Sequence, residues 1–378
     1  MPDGPVLCIT QRTDDCLWDS SDSHLHSKPG SYTVAVIGVL TVTSSSQASA
    51  ENESGSESGQ LCTLGFSGVG QPGSVICKNV MTGATTQSVA VGATVAAPGG
   101  IAGNLARHGK HALVTNQSQG AVLFEIVGGR LISPVMLQTG GEGSLSGALS
   151  DLGAYVLTGA HLFFIPRGEM TATSSQSLLM ADGSAAQVKL AGKYAYVSEK
   201  SGSLEAFLLG RDGNIRIGAT PVAGVPAGVI VGITGVADLV VAPIAHLASN
   251  ANQSTIPVVS GLGVVQIVPT KEVAACWASN DNSEACVTNP GSMTVSCGRV
   301  GSNAFTSYTS AATSLSGDTV FDIDMMDTSV GILGKSNGAP VLLSYSRMKQ
   351  GGDFLSPIGE FPLGMATATG AMLLPAIQ

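Results

Sequence analysis

Three cysteines, Cys276, Cys286 and Cys297, lie with nine and ten residues between them in the stretch EVAACWASNDNSEACVTNPGSMTVSC. Structural zinc sites instead use close pairs of the Cys-x-x-Cys kind with histidine at a matching interval. No histidine falls between these three, so the spacing does not read as a metal centre, and they compete for one disulfide. Cys62 and Cys77 flank the turn-rich GFSGVGQPG and are expected to staple a hairpin. With seven cysteines in all, at least one thiol is left free or open to intermolecular pairing. Proton chemistry falls to His161, Lys200 and His246, each at the end of a strand-like run, with Glu199 beside Lys200.

Other motifs carry less. Gly68, Gly70 and Gly73 match G-x-G-x-x-G, but SVICKNV follows them as a strand rather than a helix, so a hairpin turn is the better reading. His108 and His111 in ARHGKHA have no third ligand nearby and read as a solvated turn. The sequence contains no phosphate-cradling loop. No metal and no cofactor is expected.

The elements that must position these residues are strands. Charged residues make up 11% of the 378, and 49 are glycine, a composition that builds tight turns and buried strands. Glycine or serine interrupts nearly every candidate helix, which predicts an all-β chain. The cysteine stretch itself resolves into short apolar runs, AACWAS, EACVTN and MTVSCG, separated by turn residues. The same cadence recurs with HALVTN, AYVLTG and AYVSEK as equivalent second strands. Four-stranded units fall at about 101–141, 142–182, 183–225, 226–272, 273–316 and 317–362. A period of about 40 to 50 residues with four strands is that of a β-propeller blade. GPVLCITQR and GSYTVAVIGVLTV are expected to supply the outer strands of a seventh blade, with GMATATGAMLLPAI as its inner strand. The prediction is one domain over 1–378: a seven-bladed propeller of antiparallel blades, closed by pairing N- and C-terminal strands. TVTSSSQASAENESGSESGQ (41–60) reads as a flexible surface insertion.

In such a fold the loop after each second strand and the loop before each first strand share one face. That face collects Arg12, Asn116, His161, Glu199, Lys200 and His246. The inner strands add Trp277, Phe321, Asp322 and Met365 as channel lining, a mixture suited to small apolar organic substrates. The net charge of -9 and the lack of a Lys/Arg cluster exclude nucleic acid as a partner. The most apolar window, 227–245, holds three glycines, a proline and Asp238, and reads as two buried strands rather than a membrane span. Sequons at Asn52, Asn116 and Asn252 suit a secretory route, while MPDGPVLCITQ lacks the features of a signal peptide. A leader removed before Met1 fits the first observation; a cytoplasmic chain is the alternative. The sequence does not set the oligomeric state.

Residues 101–345 resemble the fungal 3-carboxymuconate cyclase-like propellers, relatives of the lactonase-type seven-bladed family. The resemblance rests on ACWASNDNSEACVTN followed by SGDTVFDIDMMDTSVGILG, and on LQTGGEGSLSGALSDLGAYVLTG. One branch is similar to the hetero-Diels-Alderases of tropolonic sesquiterpenoid pathways. That branch implies dehydration of a tropolone precursor to an o-quinone methide and its cycloaddition to a humulene-type alkene. His161, Lys200 and His246 would then donate the proton; Arg12, Asn116, Glu199, Trp277, Phe321, Asp322 and Met365 would bind substrate. The alternatives are a lactonase or muconate-cycloisomerase-like enzyme, with Asp322 and Asp324 as its inner-strand acids, and a secreted, non-catalytic binding or adhesin propeller.

Overall fold

Short runs of apolar and small residues, many bounded by glycine or asparagine, give twenty-nine strands and no helix among the described residues. The computed structural model describes residues 43–44, 59–67, 71–94, 105–116, 120–246, 254–301, 304–313, 319–347 and 355–377. The strands form seven antiparallel sheets of four strands, one of which gains a fifth. Six are consecutive in sequence and match the repeat units: blades one to six span 105–137, 144–177, 185–221, 234–269, 277–312 and 320–362. Their inner strands are Leu105–His108, Ser144–Leu149, Ala185–Ala191, Thr234–Val236, Trp277–Asp281 and Val320–Met326. With Thr367–Leu374 from the seventh sheet, each inner strand packs against the next in a ring. This is a seven-bladed β-propeller.

The window 227–245 contains the strands Thr234–Val236 and Leu239–Val241, joined at Ala237 and Asp238. In the cysteine-rich blade the turn between the first two strands is only Asn282 and Ser283, with Asn282 at φ 54°. Asn280 and Asp281, which read as turn residues in sequence, instead end the inner strand.

Blade seven differs from the sequence expectation. Thr367–Leu374 is its inner strand, but the outer three are Gln60–Phe66, Pro72–Asn79 and Thr85–Thr94. GPVLCITQR and GSYTVAVIGVLTV lie outside the described residues. The hairpin of Gln60–Phe66 and Pro72–Asn79 sets Cys62 opposite Cys77, and the two are bonded. Gly73 lies in the second of these strands, so no helix follows the glycine-rich stretch. Gln60 fastens the closure: its amide donates to Gly129 O and Pro375 O, both at 2.8 Å, and accepts from Thr86 Oγ1 at 2.6 Å. Gly129 sits at φ +75°, and a Cβ there would come 2.5 Å from Ala376 O, so only glycine lets the C-terminal segment lie so close. Of the 41–60 segment, Thr43 and Ser44 pair in parallel with Asn280 and Asp281 on the channel side of blade five, and Gln60 begins a buried strand.

The core sits between blades. Tyr155 and Phe164 of blade two, for example, pack with Val188, Val197 and Phe207 of blade three. Apart from the pairing at Asn280 and Asp281, inner strands have one edge without a strand partner, and polar side chains of the preceding blade meet several of the amides there. The N–H of Val188 donates to Ser146 Oγ at 3.0 Å and that of Ile233 to Gln187 Oε1 at 2.6 Å. Those of Ala371 and Leu373 donate to Asp322 and Asp324 at 3.3 and 2.8 Å.

Candidate functional site

Blade two brings a histidine and a carboxylate together. His161 opens the third strand, directly after the turn at Gly159 and Ala160, and Glu142 stands in the loop that enters the inner strand. These two connections share one end of the propeller, and Glu142 Oε1 comes 2.8 Å from His161 Nδ1. The Thr158 hydroxyl donates to Glu142 Oε2 at 2.5 Å and fixes the carboxylate. About a third of each side chain is exposed, 34% for His161 and 38% for Glu142. The contact is an ion-pair approach rather than an aligned hydrogen bond, since no donor or acceptor meets Nδ1 at a favourable angle. Catalytic hydrogen bonds are often misaligned without substrate and tighten when it binds.

Blade three carries Glu199 and Lys200 at the same end. Glu199 is fully buried; Oε2 accepts from Ser184 Oγ at 2.7 Å, while Oε1 has no partner. Burial pushes Glu199 up to about 8, with the Ser184 hydrogen bond opposing and Glu205 reinforcing the rise. Burial likewise pulls Lys200 down to about 8 against the attraction of Glu199. The loop 178–184 ties the two blades. Leu178 N–H donates to Ala160 O at 2.9 Å, next to His161, and Lys200 N–H donates to Ser184 O at 2.8 Å.

The remaining predicted residues are placed differently. His161, Lys200 and His246 stand on three successive blades at one end, and no hydrogen bond or ion pair joins them; His246 Nε2 pairs instead with Thr255 Oγ1 at 3.2 Å. Asn116 is buried at 2% exposure, and its N–H donates to Ser144 Oγ at 2.8 Å. That burial leaves no room for a glycan at its sequon. Arg12, Asn52 and Asn252 lie outside the described residues. Trp277 and Phe321 are exposed by 2% and 7% and meet edge-to-face at 6.0 Å, so they form core rather than an open apolar wall. Met365 is half-buried against Gly65.

Asp322 and Asp324 are fully buried in the channel, and Lys189 on blade three interacts with both from the opposite wall of the ring. Burial lifts Asp322 well above its usual range and Asp324 to about 7, and lowers Lys189 to about 7. Among the described residues no three His, Cys, Asp or Glu side chains converge as metal ligands. At the opposite end of the propeller, His108, His111 and Arg167 line a small cleft between blades one and two. There His108 Nε2 pairs with the exposed Asp151 at 3.1 Å.

No family model matches the sequence, and no curated protein matches it. Solved structures do match in shape. A protein of unknown function from Desulfotomaculum acetoxidans superposes with a TM-score of 0.61 at 14% identity, over 83% of this chain and 98% of that one. A protein proposed to be a 6-phosphogluconolactonase, from Bacteroides uniformis, gives 0.57 at 12% identity, over 83% and 99%. AztD from Citrobacter koseri gives 0.51 at 9% identity, over 84% and 98%. The likeness is one of fold.

What the fold presents at the His161 end is therefore read from its own geometry. A carboxylate held by a threonine hydroxyl and set against Nδ1 leaves Nε2 directed elsewhere, the arrangement of a histidine base with an orienting acid. Sequence reasoning found His161 but not Glu142. Its signal was present: Glu142 is the one ionisable residue in LQTGGEGSLSGALS, the loop and strand entering His161's own blade.

Proposed function

We propose that this protein hydrolyses small cyclic esters, with His161 as general base and Glu142 as the acid that orients it. The observation that carries the reading is the 2.8 Å approach of Glu142 Oε1 to His161 Nδ1 at an accessible rim. In the proposed reaction His161 Nε2 takes a proton from water as the oxygen attacks the lactone carbonyl. The tetrahedral oxyanion collapses with cleavage of the ring C–O bond, and the imidazolium returns the proton to the departing alkoxide. The product is the open hydroxy acid. Glu142 stabilises the imidazolium. Proton transfer of this kind contributes roughly 10²- to 10⁴-fold.

The fold shared with the Bacteroides uniformis protein supports a lactonase-type activity. The finer reading, a hetero-Diels-Alderase, is supported by the sequence resemblance alone, and the packed pair Trp277 and Phe321 adds nothing to it. The two disulfides among the described residues support an oxidising, secretory setting. The experiment is incubation with γ-butyrolactone and δ-valerolactone, following the hydroxy acids by proton NMR. Ring opening above the buffer rate supports the proposal, and ring opening at the buffer rate for both lactones removes it.

A further inference from the structure

Two large apolar side chains stand exposed beside the dyad. Leu179 and Met180 are 54% and 39% accessible, on the loop that leaves the strand opposite His161. Isolated exposed hydrophobes are ordinary, but these are held in place at a cost. Glu205, buried at 1% exposure, gives one carboxylate oxygen to the N–H of Leu179 and the other to that of Met180, both at 3.1 Å. Burying a carboxylate is unfavourable unless its oxygens are satisfied, and here both serve to fix the backbone under two exposed side chains. The neighbouring Leu178 is buried and its N–H is tied to Ala160 O, so the tip is anchored at its base as well.

At this end of blades two and three the accessible acids are Glu142 and Asp182, beside His161, while Glu199, Glu205 and Lys200 are buried. Every arginine of these two blades, Arg167, Arg211 and Arg216, belongs to the turns and strand start at the other end. A phosphorylated lactone would meet no guanidinium here and two carboxylates, Glu142 and Asp182.

We infer that Leu179 and Met180 are the specificity surface for an alkyl tail, so that the substrates are uncharged lactones carrying an apolar chain. This rests on the hydrolytic reading of Glu142 and His161. The ring lies at His161 and the chain lies across the two side chains, which Glu205 positions through their backbone amides. Covering apolar surface favours binding by up to about fourfold per methylene, so affinity rises with chain length until the patch is covered.

The test compares γ-butyrolactone, γ-hexalactone, γ-decalactone and 6-phosphogluconolactone as substrates. It pairs them with calorimetric binding of the uncleaved amide γ-decalactam. For wild type, kcat/KM is expected to rise about two- to fourfold per methylene, with the phosphorylated lactone the poorest substrate. In the double variant Leu179→Ser, Met180→Ser the ratio of γ-decalactone to γ-butyrolactone should fall towards one, and γ-decalactam binding should weaken at least tenfold. Glu205→Ala should raise KM for γ-decalactone with kcat held, and Glu205→Gln should recover part of the loss. Hydrolysis that is independent of chain length overturns the inference and leaves the hydrolytic reading standing. Lactam binding that depends on Leu179 and Met180, without any hydrolysis, upholds the surface and overturns that reading. Neither binding nor hydrolysis overturns both.

Discussion

Asp324 of the sixth blade accepts the backbone N–H of Leu373 in the seventh at 2.8 Å, and its other oxygen accepts from Ser279 Oγ of the fifth at 3.1 Å. One fully buried carboxylate thus joins three blades beside the closing strand. Asp324→Ala leaves a buried amide and a hydroxyl without their acceptor, and should cost about 1–3 kcal/mol for each group that stays unsatisfied. Asp324→Asn keeps an acceptor for Leu373 and should cost less. Urea unfolding of the two variants checks the order; equal losses would show that the acceptor role is not what Asp324 supplies.

The same cluster sets a pH dependence of stability. Burial raises Asp324 to about 7 in the fold, above its unfolded value, so the stability present with protonated Asp324 is lost as pH rises towards 7. Asp322, also raised by burial, acts in the same sense. Lys189 is lowered by burial to about 7, so its stability is present above the unfolded lysine range and lost as pH falls towards 7. Each fully linked proton contributes a slope of about 1.4 kcal/mol per pH unit. Unfolding free energies measured from pH 4 to 10 should therefore dip near pH 7. Asp324→Asn should flatten the acid limb and Lys189→Met the alkaline limb. Unchanged limbs in both variants would place the linkage elsewhere.

The cysteines give a prediction that separates structure from reactivity. Cys62 and Cys77 close a sequence interval of 15 residues within the blade that seals the ring. Replacing both by alanine should cost roughly 2–4 kcal/mol. Cys286 and Cys297 are bonded across adjacent strands, leaving Cys276 as a buried thiol that burial pushes up to about 12. Peptide mapping after alkylation of the native protein at pH 8 should find Cys276 unmodified, and alkylated only after unfolding. Rapid native labelling of Cys276 would contradict the burial.

Much of the fold was legible because most pairing is local. HALVTN, AYVLTG, AYVSEK and EACVTN were recognisable as equivalent second strands, and each pairs with its neighbours in sequence. In the seventh blade GMATATGAMLLPAI was legible as the closing inner strand, but its partner Gln60–Phe66 was not, since the two pair across the whole remaining chain. At the site, His161 could be placed on the correct rim from strand order alone. Glu142 could not, because its approach depends on how the entering loop folds over the blade. Lys189 is the single charge in QVKLAG, and only the ring sets it opposite Asp322 and Asp324. Trp277 and Phe321 were read as lining because they open inner strands; edge-to-face packing turned them into core.

Removing the orienting carboxylate should be milder than removing the base. Glu142→Gln preserves volume and a contact to Thr158 but loses the charge that stabilises the imidazolium. It should lower kcat on a neutral lactone by about 10- to 100-fold, less than the roughly 10²- to 10⁴-fold expected for His161→Ala. Steady-state kinetics of the two variants decides it; a larger loss for Glu142→Gln would assign the proton transfer to the carboxylate.

In the proposed reaction His161 draws a proton from water at the carbonyl of a cyclic ester. The most direct measurement is pH-stat titration of acid released from γ-decalactone at fixed pH by wild type and by His161→Ala, at equal concentrations of folded protein. Steady acid release by wild type is expected, with a rate at least 100-fold lower for His161→Ala. Equal rates for the two proteins, or no release above buffer by wild type, would contradict it.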